Sequence, residues 1–192
     1  MITQISFMPV RDARKLVPDN SIALISIHDS GQHVDSQVPK EDWGYFDHIG
    51  FDDAAYDEEQ ISEYGADFWN YFDGCARKVD ALKILLMFKR IEESPNIREI
   101  IVHCDAGRSR SAAVAKFYAE KNNLELEGDT TYANSLIYTL LKNPSHFDEA
   151  LEEYVIKPSK IVKNEVEEEK IKLFPFGWVD VLIERVFGKP QK

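Results

Sequence analysis

An α/β fold, with a central, mainly parallel sheet of four to five strands flanked by helices, is what this 192-residue sequence predicts. Three observations carry the prediction. Strand-like and helix-like runs alternate through most of the chain. The run Ile100-Ile101-Val102 is short, apolar and β-branched, as strands buried on both faces are. That run passes through a polar turn directly into an amphipathic helix.

The elements follow in chain order. Ile2 to Met8 alternates apolar and polar residues, the period of a strand with one buried face. Ser21 to Ile27 is a nearly unbroken apolar run ending at His28, and Tyr45 to Phe51 is a third strand running into Asp52 and Asp53. From Ala76 to Ile91, residues Val79, Leu82, Leu85, Leu86 and Ile91 fall at helical spacing, and Ser94-Pro95 closes that helix. After the fourth strand, Ala113, Val114, Phe117 and Tyr118 give a helix over Ser109 to Lys121. Thr130 to Leu141 reads as a helix ended by Asn143-Pro144, and Ser145 with Asp148 is the capping pattern for another helix reaching Tyr154. Lys163 to Lys172 holds four Glu and reads as a solvated helix or linker, and Trp178, Val181, Leu182 and Val186 form a last amphipathic helix, better suited to packing on the domain or a second subunit than to a membrane surface. Residues 1–156 are therefore expected to form the working domain, with 157–192 as a helical extension.

Composition narrows the function classes. A net charge of −11 without a visible cluster of Lys and Arg argues against nucleic acid as a partner. No stretch approaches the roughly 18 apolar residues of a membrane span, and no signal-like leader is visible. Two cysteines, Cys75 and Cys104, make no disulfide framework, so a reducing cytoplasm is the expected location. Oligomeric state is left open.

The chemistry is concentrated in His103-Cys104-Asp105-Ala106-Gly107-Arg108-Ser109-Arg110-Ser111, between the buried strand and its helix. A turn entering a helix N-terminus directs successive backbone N–H groups into one concavity, and the helix dipole adds positive potential. Asp105, Ala106, Gly107, Arg108 and Ser109 thus form an anion cradle, and Gly107 supplies the positive φ that brings backbone close to a ligand. Cysteines at helix N-termini beside cations become nucleophilic thiolates, and Cys104 has that setting. Arg110, six positions on, can hold two oxygens of a phosphoryl group in one planar fork. The hydroxyl of Ser111 is suited to hydrogen-bond the sulfur when it must leave, and His103 is expected to orient the loop through hydrogen bonds.

This pattern, His-Cys-x-Ala-Gly-x-Ser-Arg-Ser, resembles the signature loop of the protein tyrosine phosphatases, closest to the dual-specificity type and its compact bacterial and phage relatives. The resemblance extends more weakly over Ile2 to Leu141. It implies hydrolysis of a phosphorylated protein or peptide through a phosphocysteine intermediate, with no metal or cofactor. It also implies an upstream carboxylic acid that protonates the leaving oxygen and then activates water. Asp52 and Asp53 lie at the position in chain order that the family uses. If Ile49 and Phe51 face the core, Asp53 shares their side and Asp52 the opposite one, and Asp53 is preferred. The aromatics Tyr64, Phe68, Trp69, Tyr71 and Phe72 in the following insert are expected to pack, with lining of the pocket mouth as the alternative.

Other readings stay open. Chain order argues against low-molecular-weight tyrosine phosphatases and arsenate reductases, whose cysteine lies near the N-terminus. Asp105, where phosphoinositide phosphatases carry a lysine, disfavours polyphosphorylated lipid. A phospho-binding module without turnover, a phosphatase of a non-protein phosphomonoester, and a redox sensor pairing Cys75 with Cys104 are the alternatives.

Overall fold

The computed structural model describes residues 1–32 and 38–156; the two elements expected beyond Lys157 lie outside the described residues. Four strands, β1 (Gln4–Pro9), β2 (Ile22–His28), β3 (Tyr45–Gly50) and β4 (Glu99–Cys104), form one sheet in the order β1-β4-β2-β3. Every pairing is parallel. The last strand enters between the first two, so the carboxyl ends of β1, β2 and β4 converge where the chain reverses its order of laying down strands. In open α/β sheets that crevice is where ligands bind.

Alternation along the strands divides the apolar residues between two faces. Ile5, Ala23, Ile25, Ile27, Ile49, Ile100 and Val102 face the larger core, built with helices α4 (Lys78–Glu92), α5 (Arg110–Asn122) and α6 (Ser135–Lys142). Leu24, Ile101 and Met8 face a smaller layer closed by Val10 and Ala13 of the one-turn helix α1 (Val10–Ala13), with Val38 and Trp43. In the larger core, Phe88 of α4 and Tyr118 of α5 pack at 4.5 Å between ring centroids, a pair contributing about 0.5–1.5 kcal/mol beyond its buried area.

Several elements differ from the sequence expectation. In α4 the buried stripe is Ala81, Ile84, Leu85, Met87, Phe88 and Ile91, whereas Val79 is 65% exposed and Leu82 and Leu86 are half-buried. The helix has apolar residues on several sides, so spacing alone leaves its rotation undetermined. An additional helix, α2 (Glu58–Tyr64), is opened by a capping box: Asp57 Oδ1 accepts from Gln60 N–H at 2.9 Å and Gln60 Oε1 accepts from Asp57 N–H at 3.0 Å. Thr130–Ala133 is not helical; α6 begins at Ser135 because Asn134 caps it, its side-chain oxygen accepting from Ile137 N at 3.1 Å. The next helix reaches past Tyr154 as expected, but Phe147 rather than Ser145 is its N-cap, and it passes from one α turn, α7 (Asp148–Ala150), into a π-helix at Leu151–Ile156.

The insert aromatics pack, as expected. Tyr56 is the centre, with Phe68, Trp69, Phe72 and Phe147 ringed around it at 5.0–6.1 Å, mostly edge to face. Phe68 lies in α3 (Phe68–Tyr71), and Tyr71 of the same turn is exposed.

Candidate active site

β4 ends at Cys104 and α5 begins at Arg110, so the polar turn between them spans the mouth of the crevice. Gly107 has φ +67°, in the left-handed region, and a Cβ there would lie 2.0 Å from the Pro9 nitrogen. The close approach this glycine permits is therefore to the chain's own backbone at the end of β1. Val10 N donates to the Asp105 carbonyl at 3.3 Å, fastening the turn to β1 a second time. A turn held at both points is pre-shaped rather than formed on binding.

Within it, Cys104 is buried and its Sγ lies 3.2 Å from Ser111 Oγ in the first turn of α5. Arg110 is buried as well. Its Nη1 donates to the Phe51 carbonyl at 2.7 Å and meets Asp29 Oδ1 at 2.7 Å, while its Nε is buried with no hydrogen-bond partner. A buried guanidinium is costly unless paired, and here only one edge of the fork is engaged. Asp105, Ala106 and Arg108 are exposed on the rim, with Arg108 5.8 Å over the Tyr132 ring.

His103 departs from expectation. It is fully buried, both ring nitrogens lack hydrogen-bond partners, and burial first, then Arg14 and His28, lowers its pKa to about 4. The reason is alternation: β4 turns Cys104 to the larger core and the neighbouring His103 to the opposite, thinner layer. Hydrogen bonds from this imidazole do not orient the loop.

The two aspartates separate cleanly. Asp53 Oδ1 accepts from Ser109 Oγ at 2.6 Å and from Asn134 Nδ2 at 3.1 Å, placing its carboxylate against the Cys104 turn. Asp52 Oδ1 instead accepts from the backbone N and Oγ of Ser30, both at 2.8 Å, and its own N–H donates to Gly74 O at 2.8 Å. Phe51 and Ile49 are buried, which turns Asp53 and Asp52 to opposite sides.

Three contributors were not visible in the sequence reading. Asn134 caps α6, holds Asp53, donates to Ala54 O at 3.1 Å and, through its backbone N–H, bonds Ser109 O at 3.2 Å. Its signal was an N-cap residue ahead of the apolar Leu136-Ile137. His28 closes β2 and Asp29 follows it, and neither belongs to a recognisable motif. Cys75 is buried, and burial followed by the charge of Asp52 raises its pKa, so its thiol is kept protonated. Among the described residues no group of three or more His, Cys, Asp or Glu is arranged to hold a metal ion, and no helix is long and apolar enough to cross a membrane.

No family model matches the chain, and no curated protein matches it. Among solved structures it is similar to the crystal structure of Tk-PTP in the active form, at 15% identity and a TM-score of 0.34, with 80% of this chain and 91% of that chain covered. A likeness that distant leaves the chemistry to be argued from the residues themselves.

Proposed function

We propose that this chain is a cysteine-dependent phosphatase that hydrolyses phosphomonoesters of protein side chains, phosphotyrosine first, through a phosphocysteine intermediate. The observation that carries the reading is the 2.6 Å contact between Asp53 and Ser109, which brings a carboxylate to the same turn that holds Cys104, Arg110 and Ser111. Nucleophile, anion binder, leaving-group hydroxyl and proton carrier are then four side chains around one concavity.

The steps follow from these positions. The Cys104 thiolate attacks phosphorus in line, the ester P–O bond breaks, and the departing oxygen takes a proton from Asp53. Both of Asp53's side-chain contacts fall on Oδ1, which leaves Oδ2 to exchange that proton. The turn's amides and the unengaged Nε edge of Arg110 hold the equatorial oxygens, whose charge spreads in the transition state. A water then attacks the phosphocysteine, gives its proton to Asp53, and the S–P bond breaks with Ser111 donating to the leaving sulfur at the 3.2 Å contact. Inorganic phosphate is released and the thiolate restored.

Turnover of para-nitrophenyl phosphate tests the reading and distinguishes it from a binding module, which would show none. Cys104→Ser abolishes turnover while tungstate still binds; residual activity above about one thousandth of wild type overturns the covalent route.

A further inference from the structure

Behind Arg110 runs a chain of polar contacts that the four-residue mechanism does not use. His48 Nδ1 lies 3.2 Å from His28 Nε2, and His28 Nδ1 lies 2.9 Å from the Asp29 carbonyl oxygen. The Asp29 carboxylate reaches Arg110 Nη1 at 2.7 Å through Oδ1 and accepts from Gln32 Nε2 at 3.0 Å through Oδ2. A carbonyl can only accept, so His28 Nδ1 carries a hydrogen; with the ring neutral, its Nε2 accepts from His48 Nδ1–H. The contacts thus converge on Asp29: the two histidines donate toward its backbone carbonyl, and Gln32 and Arg110 donate to its carboxylate.

The seat of this chain is built into the sheet. His28 pairs in register with Gly50 on the neighbouring strand, and a Cβ at Gly50 would fall 2.6 Å from His28 Cε1. The missing side chain makes room for the ring, which is buried. Arg110 is also buried, and its Nη1 is shared between Asp29 and the Phe51 carbonyl. Two acceptors on one terminal nitrogen set the rotation of the planar fork and leave the Nε edge facing elsewhere, without a partner.

We infer that Asp29, backed by His28 and His48, is a positioning residue for Arg110, fixing which edge of the guanidinium a bound oxyanion meets. The inference rests on the phosphatase reading, because Arg110 is given an oxyanion to hold. Asp29 touches no reacting atom and acts through the arginine alone. His48 acts one step further back.

The test measures tungstate affinity by calorimetry and para-nitrophenyl phosphate kinetics on the full chain. Asp29→Asn weakens tungstate binding and lowers kcat/KM by about ten- to a hundredfold, the cost of a misplaced binding group. Asp29→Glu, which keeps the charge, recovers part of both. His48→Leu gives a smaller loss of tungstate affinity in an otherwise wild-type chain and no further loss in the Asp29→Asn chain, because both act through one contact. His48→Asn, which keeps a donor near the Nδ1 position, restores affinity, a response that a purely structural role does not produce. Wild-type affinity in Asp29→Asn, or losses from Asp29→Asn and His48→Leu that add in full, overturns the inference while leaving the phosphatase intact. A wild-type chain that neither binds tungstate nor turns over overturns the phosphatase reading and, with it, this one.

Discussion

Asp53 and Ser109 are 56 positions apart in the chain and 2.6 Å apart in space, a carboxylate oxygen accepting from a hydroxyl. The contact joins the segment after β3 to the turn after β4, strands that are not neighbours in the sheet. It brings Asp53, and not the adjacent Asp52, against the Cys104 turn.

Asp53→Asn is therefore expected to lower kcat by about 100-fold or more on phosphotyrosine peptides, the scale of a lost general acid. Asp52→Asn, which loosens the Ser30 turn, costs far less. Steady-state kinetics on both variants decide the assignment; the opposite ranking exchanges the two roles.

In the proposed mechanism Ser111 acts in the second half of the reaction. Ser111→Ala removes the hydroxyl 3.2 Å from the sulfur, so the phosphocysteine breaks down about ten- to a hundredfold more slowly, within the range for a lost transition-state donor. Rapid mixing with para-nitrophenyl phosphate then shows a burst of nitrophenol followed by a slow phase. Equal slowing of the burst itself counts against the role.

Under the proposed mechanism Asn134 serves stability through its Oδ1 and chemistry through its Nδ2. Asn134→Ala loses the α6 cap, at a cost of about 1 kcal/mol, and also frees Asp53. Asn134→Asp keeps a capping oxygen but sets a second carboxylate where Asp53 had a donor at 3.1 Å. Urea unfolding shows near-normal stability for the aspartate variant while its kcat falls. A parallel loss of both properties in Asn134→Asp refutes the separation.

His103 makes stability depend on pH. Its folded pKa of about 4 lies below the ordinary 6.5, so between these values the unfolded chain binds a proton that the folded chain refuses. Stability is unaffected by this group above pH 6.5 and falls as pH drops toward 4, by about 3 kcal/mol in total. Urea unfolding at pH 7.0 and 4.5 measures the decline. In His103→Leu the decline over that interval is shallower; an unchanged slope removes His103 as its source.

Legibility followed the range of the interactions. The strand, turn and helix from Ile100 to Lys121 were readable because apolar period, a positive-φ glycine and a helix start are properties of neighbouring residues, and Cys104, Arg110 and Ser111 came with them. Apolar period starts α6 five residues early, at Thr130, because an Asn N-cap is indistinguishable by spacing from one more helical position. The rotation of α4 was missed because Val79, Leu82 and Leu86 are apolar without being fully buried. A polar ring beside the cysteine suggests hydrogen bonds to the loop, but the side of β4 that His103 occupies offers none.

By itself the sequence determined that a parallel α/β sheet presents a cysteine turn at a helix N-terminus, since backbone propensity and local spacing are written in consecutive residues. The partners of that turn were decided only by the tertiary structure. Asp53 rather than Asp52, Asn134 beneath it, and Asp29 on Arg110 depend on β4 inserting between β1 and β2, and on the face each strand turns inward. Those are cooperative outcomes of packing the whole sheet, and no single stretch of chain encodes them.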